Sequence, residues 1–147
     1  MKKLLIVNGP NLNLLGSREP QQYGYETLAD VEENCRKVAS EYGYETECLQ
    51  SNTEGHLIDA IHKAGAEFKQ GHCDGVVFNP GAYTHTSIAL HDAIKGVDVP
   101  VIEVHISNVH ARETFRHHSY ISPVAAGTII GMGTKGYKLA INFLLDR

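Results

Sequence analysis

The sequence has little that would staple, export or anchor the chain. It contains only three cysteines, Cys35, Cys48 and Cys73, which stand far apart without a C-x-x-C spacing, and their odd number argues against a disulfide framework. No apolar run approaches the length that crosses a membrane. The short apolar start lacks the small-residue cleavage site of a signal peptide. We therefore expect a cytoplasmic protein whose cysteines are reduced core residues.

An excess of positive charge is also missing. The formal net charge is −4 at pH 7, which argues against a general affinity for nucleic acid or for an anionic membrane surface. One local exception is the stretch HARETFRHH at 110–118, which is rich in arginine and histidine. Most such runs are solvated loops. Because this one follows a predicted strand, an anion pocket there stays open as an alternative.

Several familiar catalytic motifs are absent from the sequence. There is no G-x-S-x-G elbow and no P-loop, and the nine histidines lack the spacing of a metal site. The stretch GMGTKG at 131–136 matches G-x-G-x-x-G, but it lacks the following strand and acidic residue of a dinucleotide site, so we interpret it as a tight turn. None of the eight lysines ends a predicted strand, so we expect no lysine Schiff base.

Short apolar strands alternate with helical patterns along the 147 residues, which fit one domain. This alternation implies βαβ units and a parallel sheet with helices on both faces. Five strands suit the flavodoxin-like order 2-1-3-4-5. The predicted strands occupy 2–9, 44–50, 74–81, 99–107 and 125–131. Four helices are predicted. Two begin after the caps Thr27 and Thr53, and the other two occupy 84–96 and 137–146.

This strand order predicts where a site forms. The crevice of such a sheet opens at the carboxyl ends of strands 1 and 3, with strand 4 beside them. Polar residues end these strands, and each one alone could be a satisfied core or surface residue. Together they predict a cofactor-free acid–base site for a carboxylated, polyhydroxylated small molecule. The set is Asn11, Arg18, Tyr23, Asn79, His85, His105, Ser107 and Arg116.

Four stretches of the sequence resemble one known family, type II 3-dehydroquinate dehydratase of the shikimate pathway. They are NGPNLNLLGSREPQQYG (8–24), FNPGAYTHTS (78–87), EVHISNVHARETFRHHSYISP (103–123) and GTIIGMGTKGY (127–137). The resemblance covers essentially the whole chain. It implies the flavodoxin-like fold, a homododecamer built from trimers and no cofactor. The implied reaction is the anti elimination of water from 3-dehydroquinate through an enolate, the third step of chorismate biosynthesis.

The resemblance also implies catalytic roles for five residues. Tyr23 matches the base that removes a proton beside the ketone, and Arg18 matches its activator. His105 matches the acid that protonates the departing hydroxyl, and Glu103 would orient its ring. Asn11 matches the residue that holds a water against the developing enolate oxygen. The loop at about 17–25 would be the active-site lid of a single catalytic domain spanning 1–147.

The remaining matches concern substrate binding and assembly. Asn79, His85 and Arg116 match groups that bind the substrate's hydroxyls, and the backbone N–H groups of Ile106 and Ser107 match a carboxylate cradle. Asp92 matches a residue that reaches into a neighbouring subunit's site.

The helix predicted to carry Asp92 also bears apolar residues. We expect Ile88, Ala89, Ala93 and Ile94 to pack on the sheet and to leave the Asp92 side free for a partner.

A competing hypothesis is a flavodoxin-like binding module that holds a phosphate-bearing ligand and performs no chemistry. Such a module needs no paired tyrosine and arginine in the lid, and it should bind a flavin or a nucleotide.

Overall fold

Five parallel strands form one sheet, whose bounds come from a computed structural model that describes residues 2–17, 19, 21 and 25–146. The strands are β1 (Lys3–Asn8), β2 (Glu45–Gln50), β3 (Cys73–Asn79), β4 (Val101–His105) and β5 (Gly127–Ile130). Their order is β2-β1-β3-β4-β5, which confirms the predicted flavodoxin-like order. All neighbouring strands pair in parallel. The central strands β1 and β3 are covered on both faces, which is why they are near-continuous apolar runs.

Helices cover both faces of the sheet. They are α1 (Leu28–Glu41), α2 (Glu54–Lys69), α3 (Ile88–Lys95) and α4 (Lys135–Leu145). The helices α1 and α4 bury one apolar layer against the sheet, and α2 and α3 bury the other. In the described part of the chain, no helix has the length and apolar character to cross a bilayer.

The first helix begins where the sequence predicts. The Thr27 side chain accepts a hydrogen bond from the Asp30 backbone N–H at 3.2 Å, and the Asp30 carboxylate accepts one from the Thr27 N–H at 3.0 Å. This reciprocal capping box satisfies two donors that a helix start leaves without partners. Gly43, with φ of +80°, follows the end of the helix and turns the chain into β2.

The third helix begins later than the sequence pattern predicts. Residues Gly81–His85 form a short 3₁₀ turn, and α3 starts only at Ile88. Ser87 caps the helix, because its hydroxyl accepts a hydrogen bond from the Leu90 N–H at 2.9 Å. The later start of α3 matters for function, because His85 then lies on the turn at the end of β3 and not inside a helix.

The face of α3 that packs on the sheet also differs from the prediction. Leu90, Ala93 and Ile94 are buried, whereas Ile88 is 58% exposed and Ala89 is exposed as well. Ile88 stands four residues before Asp92, so at 3.6 residues per turn the two share one face of the helix. The exposed face of α3 that bears Asp92 therefore carries apolar surface as well as a carboxylate.

The glycine-rich stretch after β5 is a tight turn, as predicted. Gly131 and Gly133 have φ of +82° and +62°, the left-handed region that favours glycine. The Gly133 N–H donates to the Ile106 carbonyl at 3.1 Å, so the turn fastens the chain that follows β4. The helix α4 starts at Lys135, within the stretch, rather than at 137.

The three cysteines are free thiols. Cys35 and Cys73 are buried and Cys48 is half-buried. Burial raises the pKa of the Cys35 thiol to about 12 and that of Cys48 to about 11. They are unreactive packing residues, as the sequence predicts.

Candidate active site

A pocket opens where the carboxyl ends of β1, β3 and β4 meet, at the edge that the strand order predicts. Its wall comes from the chain after β1, the turn after β3 and the loop after β4. Seven of the predicted site residues line it: Asn11, Asn79, His85, His105, Ile106, Ser107 and Arg116. Its other lining residues are Pro10, Leu12, Gly81, Ala82, Val109 and Arg112.

Glu103 and His105 form a buried acid–base pair on β4. They stand two residues apart, so their side chains project from the same face of the strand. The His105 Nε2 lies 2.6 Å from the Glu103 Oε2, and the two residues are 6% and 0% exposed. A carboxylate only accepts, so Nε2 carries the proton. The bond fixes the ring and leaves Nδ1 as the nitrogen available for proton transfer.

Three hydroxyl groups surround the carboxylate of Glu103, and we name Thr84, Ser119 and Ser122 the hydroxyl cage. Thr84 and Ser119 donate to Oε2 at 2.5 and 3.0 Å, and Ser122 donates to Oε1 at 2.5 Å. Burial by itself raises the pKa of Glu103. The hydrogen bond and charge of His105, with the Ser122 and Thr84 hydroxyls, outweigh burial and lower that pKa overall. Glu103 is therefore an anion inside the fold.

His85 lies beside this pair on the turn after β3. Its ring stacks near that of His105, with 6.5 Å between the ring centroids. Nδ1 donates to the His118 carbonyl at 2.8 Å, so Nε2 is the free acceptor of the neutral ring. Burial lowers the pKa of His85, the hydrogen bond to the His118 carbonyl partly offsets this, and the nearby Arg116 guanidinium lowers the pKa further. A neutral ring at this position suits hydrogen bonding to a substrate hydroxyl.

A second buried network holds Asn79, and we name Asn8, Tyr137 and Asn79 the amide–phenol network. The Tyr137 hydroxyl donates to the Asn8 Oδ1 at 2.5 Å and accepts from the Asn79 Nδ2 at 2.9 Å. The Gly81 N–H donates to the Asn79 Oδ1 at 3.1 Å, which fixes both ends of this amide. Burial raises the pKa of Tyr137, so this network is neutral.

Two arginines form the basic wall of the pocket. Arg116 reaches Glu113 with 3.2 Å between Nε and Oε2, and its guanidinium lies 5.0 Å from the centroid of the Phe115 ring. Arg112 donates from Nη1 to the Ser107 Oγ at 3.3 Å. Arginine side chains are suited to binding a carboxylate or several oxygens of one ligand.

Asn11 enters the pocket from a strained backbone position. Its φ of +69° lies in the left-handed region, which few residues other than glycine and asparagine adopt. The Asn11 N–H donates to the Asn52 Oδ1 at 3.0 Å, and this bond holds the conformation. Strain of this kind is often found at functional sites.

Some predicted residues are not among the described residues that line this pocket. Arg18 and Tyr23, with much of the predicted lid at 17–25, lie outside the described residues. Asp92 is exposed on α3 and does not line the pocket. All eight lysines lie in the described part of the chain, and none of them lines the pocket. Within that part, no three histidine, cysteine or acidic side chains are grouped to hold a metal ion.

Several contributors to the site are not among the sequence-based candidates. Arg112 belongs to the basic stretch at 110–118, but nothing in the stretch distinguishes it from Arg116. The hydroxyl cage and the partners of Asn79 in the amide–phenol network have only an indirect signal. A carboxylate or an amide within apolar strands requires buried partners, but the sequence does not say which residues supply them.

The parallel sheet and the buried acid–base pair at its carboxyl edge define an enzyme of the flavodoxin-like α/β class. The chain matches the family model described as "Dehydroquinase class II" over residues 2–145 and belongs to that family. It is 68% identical to the 3-dehydroquinate dehydratase of Marinomonas sp. (strain MWYL1), over 100% of this chain and 98% of the relative. It is 69% identical to that of Variovorax paradoxus (strain S110), over 99% of each chain.

A solved structure shares the fold at clear sequence identity. The type II dehydroquinase from Propionibacterium acnes superposes with a TM-score of 0.93 at 43% identity, over 100% of this chain and 98% of that one. The chain is a type II dehydroquinase by sequence family and by fold.

Proposed function

We propose that the chain dehydrates 3-dehydroquinate to 3-dehydroshikimate by anti elimination through an enolate, without a Schiff base. The observation that carries this proposal is the Glu103–His105 pair, an anionic carboxylate that holds a buried imidazole at the edge of the pocket. Such a pair suits proton transfer to a departing hydroxyl. The names of the relatives, 3-dehydroquinate dehydratase, support the choice of substrate.

In the first step a base removes a proton from C2 of the substrate. Tyr23 is the proposed base, as a phenolate that Arg18 favours by its positive charge. The electrons of the broken C2–H bond move to the C3 carbonyl and form an enolate. A water held by Asn11 donates a hydrogen bond to the enolate oxygen, which is an oxyanion-hole role.

In the second step the enolate collapses and the C1–O bond breaks. The departing hydroxyl takes a proton from His105 and leaves as water, and a double bond forms between C1 and C2, conjugated with the C3 ketone. Glu103 stabilises the imidazolium before the transfer and keeps Nδ1 in place. The two proton transfers occur on opposite faces of the ring, which gives the anti outcome.

The substrate is bound by groups that line the same pocket. Asn79, His85 and Arg116 bind hydroxyls, and the backbone N–H groups of Ile106 and Ser107 bind the carboxylate. The neutral His85 and the fixed amide of Asn79 suit uncharged hydroxyls. The arginine-rich wall suits the anionic end of the substrate.

We also propose a homododecamer of trimers in which each chain is a single catalytic domain over 1–147, with a lid at about 17–25. Asp92 would reach a neighbouring subunit's site, and the 58% exposed Ile88 on the same helix face supports contact with a partner.

The place of reaction would be the cytoplasm, where buried free thiols stay reduced. The step would be the third of chorismate biosynthesis.

The proposal is tested by incubating purified protein with 3-dehydroquinate and recording the absorbance of a conjugated enone. We expect a colourless protein that forms the enone and that keeps its activity and mass when borohydride is added during turnover. A protein that binds flavin or nucleotide and leaves 3-dehydroquinate unchanged would instead support the binding-module alternative. A reduced adduct on a lysine would contradict the Schiff-base-free route.

A further inference from the structure

We propose that the hydroxyl cage consists of positioning residues that keep Glu103 anionic and thereby set the charge state of His105. None of the three hydroxyls lies on β4 with the pair they surround. Thr84 comes from the turn after β3, and Ser119 and Ser122 come from the loop after β4. The inference rests on the proposed function, because it requires His105 to act as the acid.

The hydrogen bonds of Ser119 fix the direction of its proton. Its Oγ accepts from the backbone N–H groups of Ile121 and Ser122, both at 3.0 Å. A hydroxyl has two lone pairs and one proton, so both acceptor positions are taken. The proton must be donated, and Oε2 of Glu103 and Oγ1 of Thr84 are each 3.0 Å away. Ser119 cannot turn to accept a proton from Glu103.

The other two hydroxyls complete a cage that favours the anion. Oε2 already accepts hydrogen bonds from the Thr84 and Ser119 hydroxyls and from the His105 Nε2–H. A proton on Oε2 would therefore point at groups that are themselves donors. A proton on Oε1 would reverse the 2.5 Å bond, so that Ser122 accepts from the carboxyl and must donate its own proton elsewhere. Charge-assisted hydrogen bonds of this kind are about twice as strong as neutral ones.

The cage therefore decides between two states of the pair. In one state Glu103 is anionic and His105 is a doubly protonated imidazolium, which is a competent acid. In the other state the Nε2 proton has moved to Glu103 and the ring is neutral. Such a ring could donate its Nδ1 proton only by becoming an imidazolate anion. Each cage hydroxyl favours the first state. The lowered pKa of Glu103, to which Ser122 and Thr84 contribute after His105, agrees with this assignment.

Other charged and titratable groups line the same cavity as the pair. They come from the turn after β3 and from the loop after β4, whereas the neighbouring strand β5 adds only neutral side chains. They are His85, His110, Arg116, His117 and His118. None of these five is hydrogen-bonded to Glu103, whose partners among the described residues are His105 and the three cage hydroxyls.

The test compares cage variants by their steady-state kinetics over a range of pH. Thr84→Val removes a hydroxyl at nearly constant shape, and Thr84→Ser restores it. We expect Thr84→Val, Ser119→Ala and Ser122→Ala each to lower kcat roughly tenfold, with KM nearly unchanged. The acidic limb of the kcat profile should move to higher pH, because a carboxylate with fewer donors protonates more readily.

Two further variants separate positioning from general damage to the fold. Thr128→Val is the matched control, because Thr128 pairs with Glu103 across the sheet and its hydroxyl donates to the Ser122 Oγ at 3.5 Å, but it makes no hydrogen bond to the Glu103 carboxylate. It should keep the wild-type profile. In a Glu103→Gln background, Ser119→Ala should cause little further loss, since there is no anion left to hold.

Unchanged kcat and pH profiles in Thr84→Val and Ser122→Ala would overturn the inference, and so would a Thr84→Ser that is no better than Thr84→Val. These two positions keep the test decisive if Ser119→Ala does not fold. The wild-type assay separates this failure from that of the proposed function. An inactive wild type contradicts the proposed function itself, whereas an active wild type with unchanged cage variants contradicts only the role of the cage.

Discussion

Two buried polar networks lie at the same edge of the sheet, and they differ in charge. Around Glu103 and His105 on β4, the hydroxyl cage surrounds an anion. Around Asn79 at the end of β3, the amide–phenol network is neutral throughout. The Glu103 carboxylate is hydrogen-bonded at both oxygens, whereas the buried Asn8 Nδ2 of the neutral network has no hydrogen-bond partner among the described residues. The difference indicates a division of labour, in which the charged network moves a proton and the neutral one holds a binding group in a single orientation.

The largest expected effect compares two tyrosines with different proposed roles. Tyr23→Phe should lower kcat on the order of 100- to 10,000-fold with little change in KM, because the phenol is proposed to act in the proton transfer. Tyr137→Phe removes the same atom from a buried, neutral phenol and is the matched control. Steady-state kinetics measure both. Near-normal turnover in Tyr23→Phe would remove that tyrosine from the mechanism.

The next effect concerns the charged network alone. Glu103→Gln keeps the shape of the side chain but removes the anion, and we expect kcat to fall about 100-fold. A wild-type kcat in this variant would show that no anion is needed beside His105.

The same carboxylate predicts how stability depends on pH. The pKa of Glu103 is lowered in the fold, so its contribution to the free energy of unfolding is present above the ordinary value of 4.5 and is lost as pH falls through the lowered pKa. The free energy of unfolding of the wild type, measured with denaturant, should therefore fall as the pH drops below about 4.5. In Glu103→Gln this decrease with falling pH should be smaller by the contribution of Glu103. Equal slopes in the two proteins would contradict the assignment.

A smaller effect is expected in the neutral network. Tyr137→Phe leaves the Asn8 Oδ1 and the Asn79 Nδ2 without their shared partner, so Asn79 should lose its fixed orientation. We expect KM to rise about two- to tenfold with kcat nearly unchanged. In an Asn79→Ala background the same change should have little further effect on KM. A loss confined to kcat would mean that this network also takes part in the proton transfers.

The smallest effect on chemistry is expected from outside both networks. Asp92→Ala should weaken assembly or activity without unfolding the subunit, because Asp92 is exposed on α3 beside Ile88. Sedimentation of the wild type should give a mass far above that of a 16.1 kDa chain. A fully active monomer at assay concentration would rule out a cross-subunit role.

The parts of the fold that the sequence predicts are those with a strong local pattern. The apolar runs of β1 and β3 and the alternation of strands with helices lead to the observed strand order. That order then brings Asn79, His85 and His105 to one edge, because the carboxyl ends of parallel strands meet there. The sequence alone predicts these residues as part of the site, because each lies at or near the end of a predicted strand.

The parts that the sequence does not predict depend on contacts between distant segments. The pattern predicts the third helix over 84–96, but the bond from the Leu90 N–H to the Ser87 hydroxyl shows that α3 starts after Ser87. Ser119 lies in a loop with no periodicity, so its contact with Glu103 has no local signal. Tyr137 fits the apolar pattern of α4, and its bond to Asn8 spans almost the whole chain.

The most direct test of the account follows a label through the reaction. The wild type is incubated with 3-dehydroquinate that carries deuterium at C2 on the ring face opposite the C1 hydroxyl, and the product is examined by mass spectrometry. Anti elimination predicts an enone that has lost the deuterium. An enone that retains it would mean that the proton and the hydroxyl leave from the same face, which would contradict the proposed placement of base and acid.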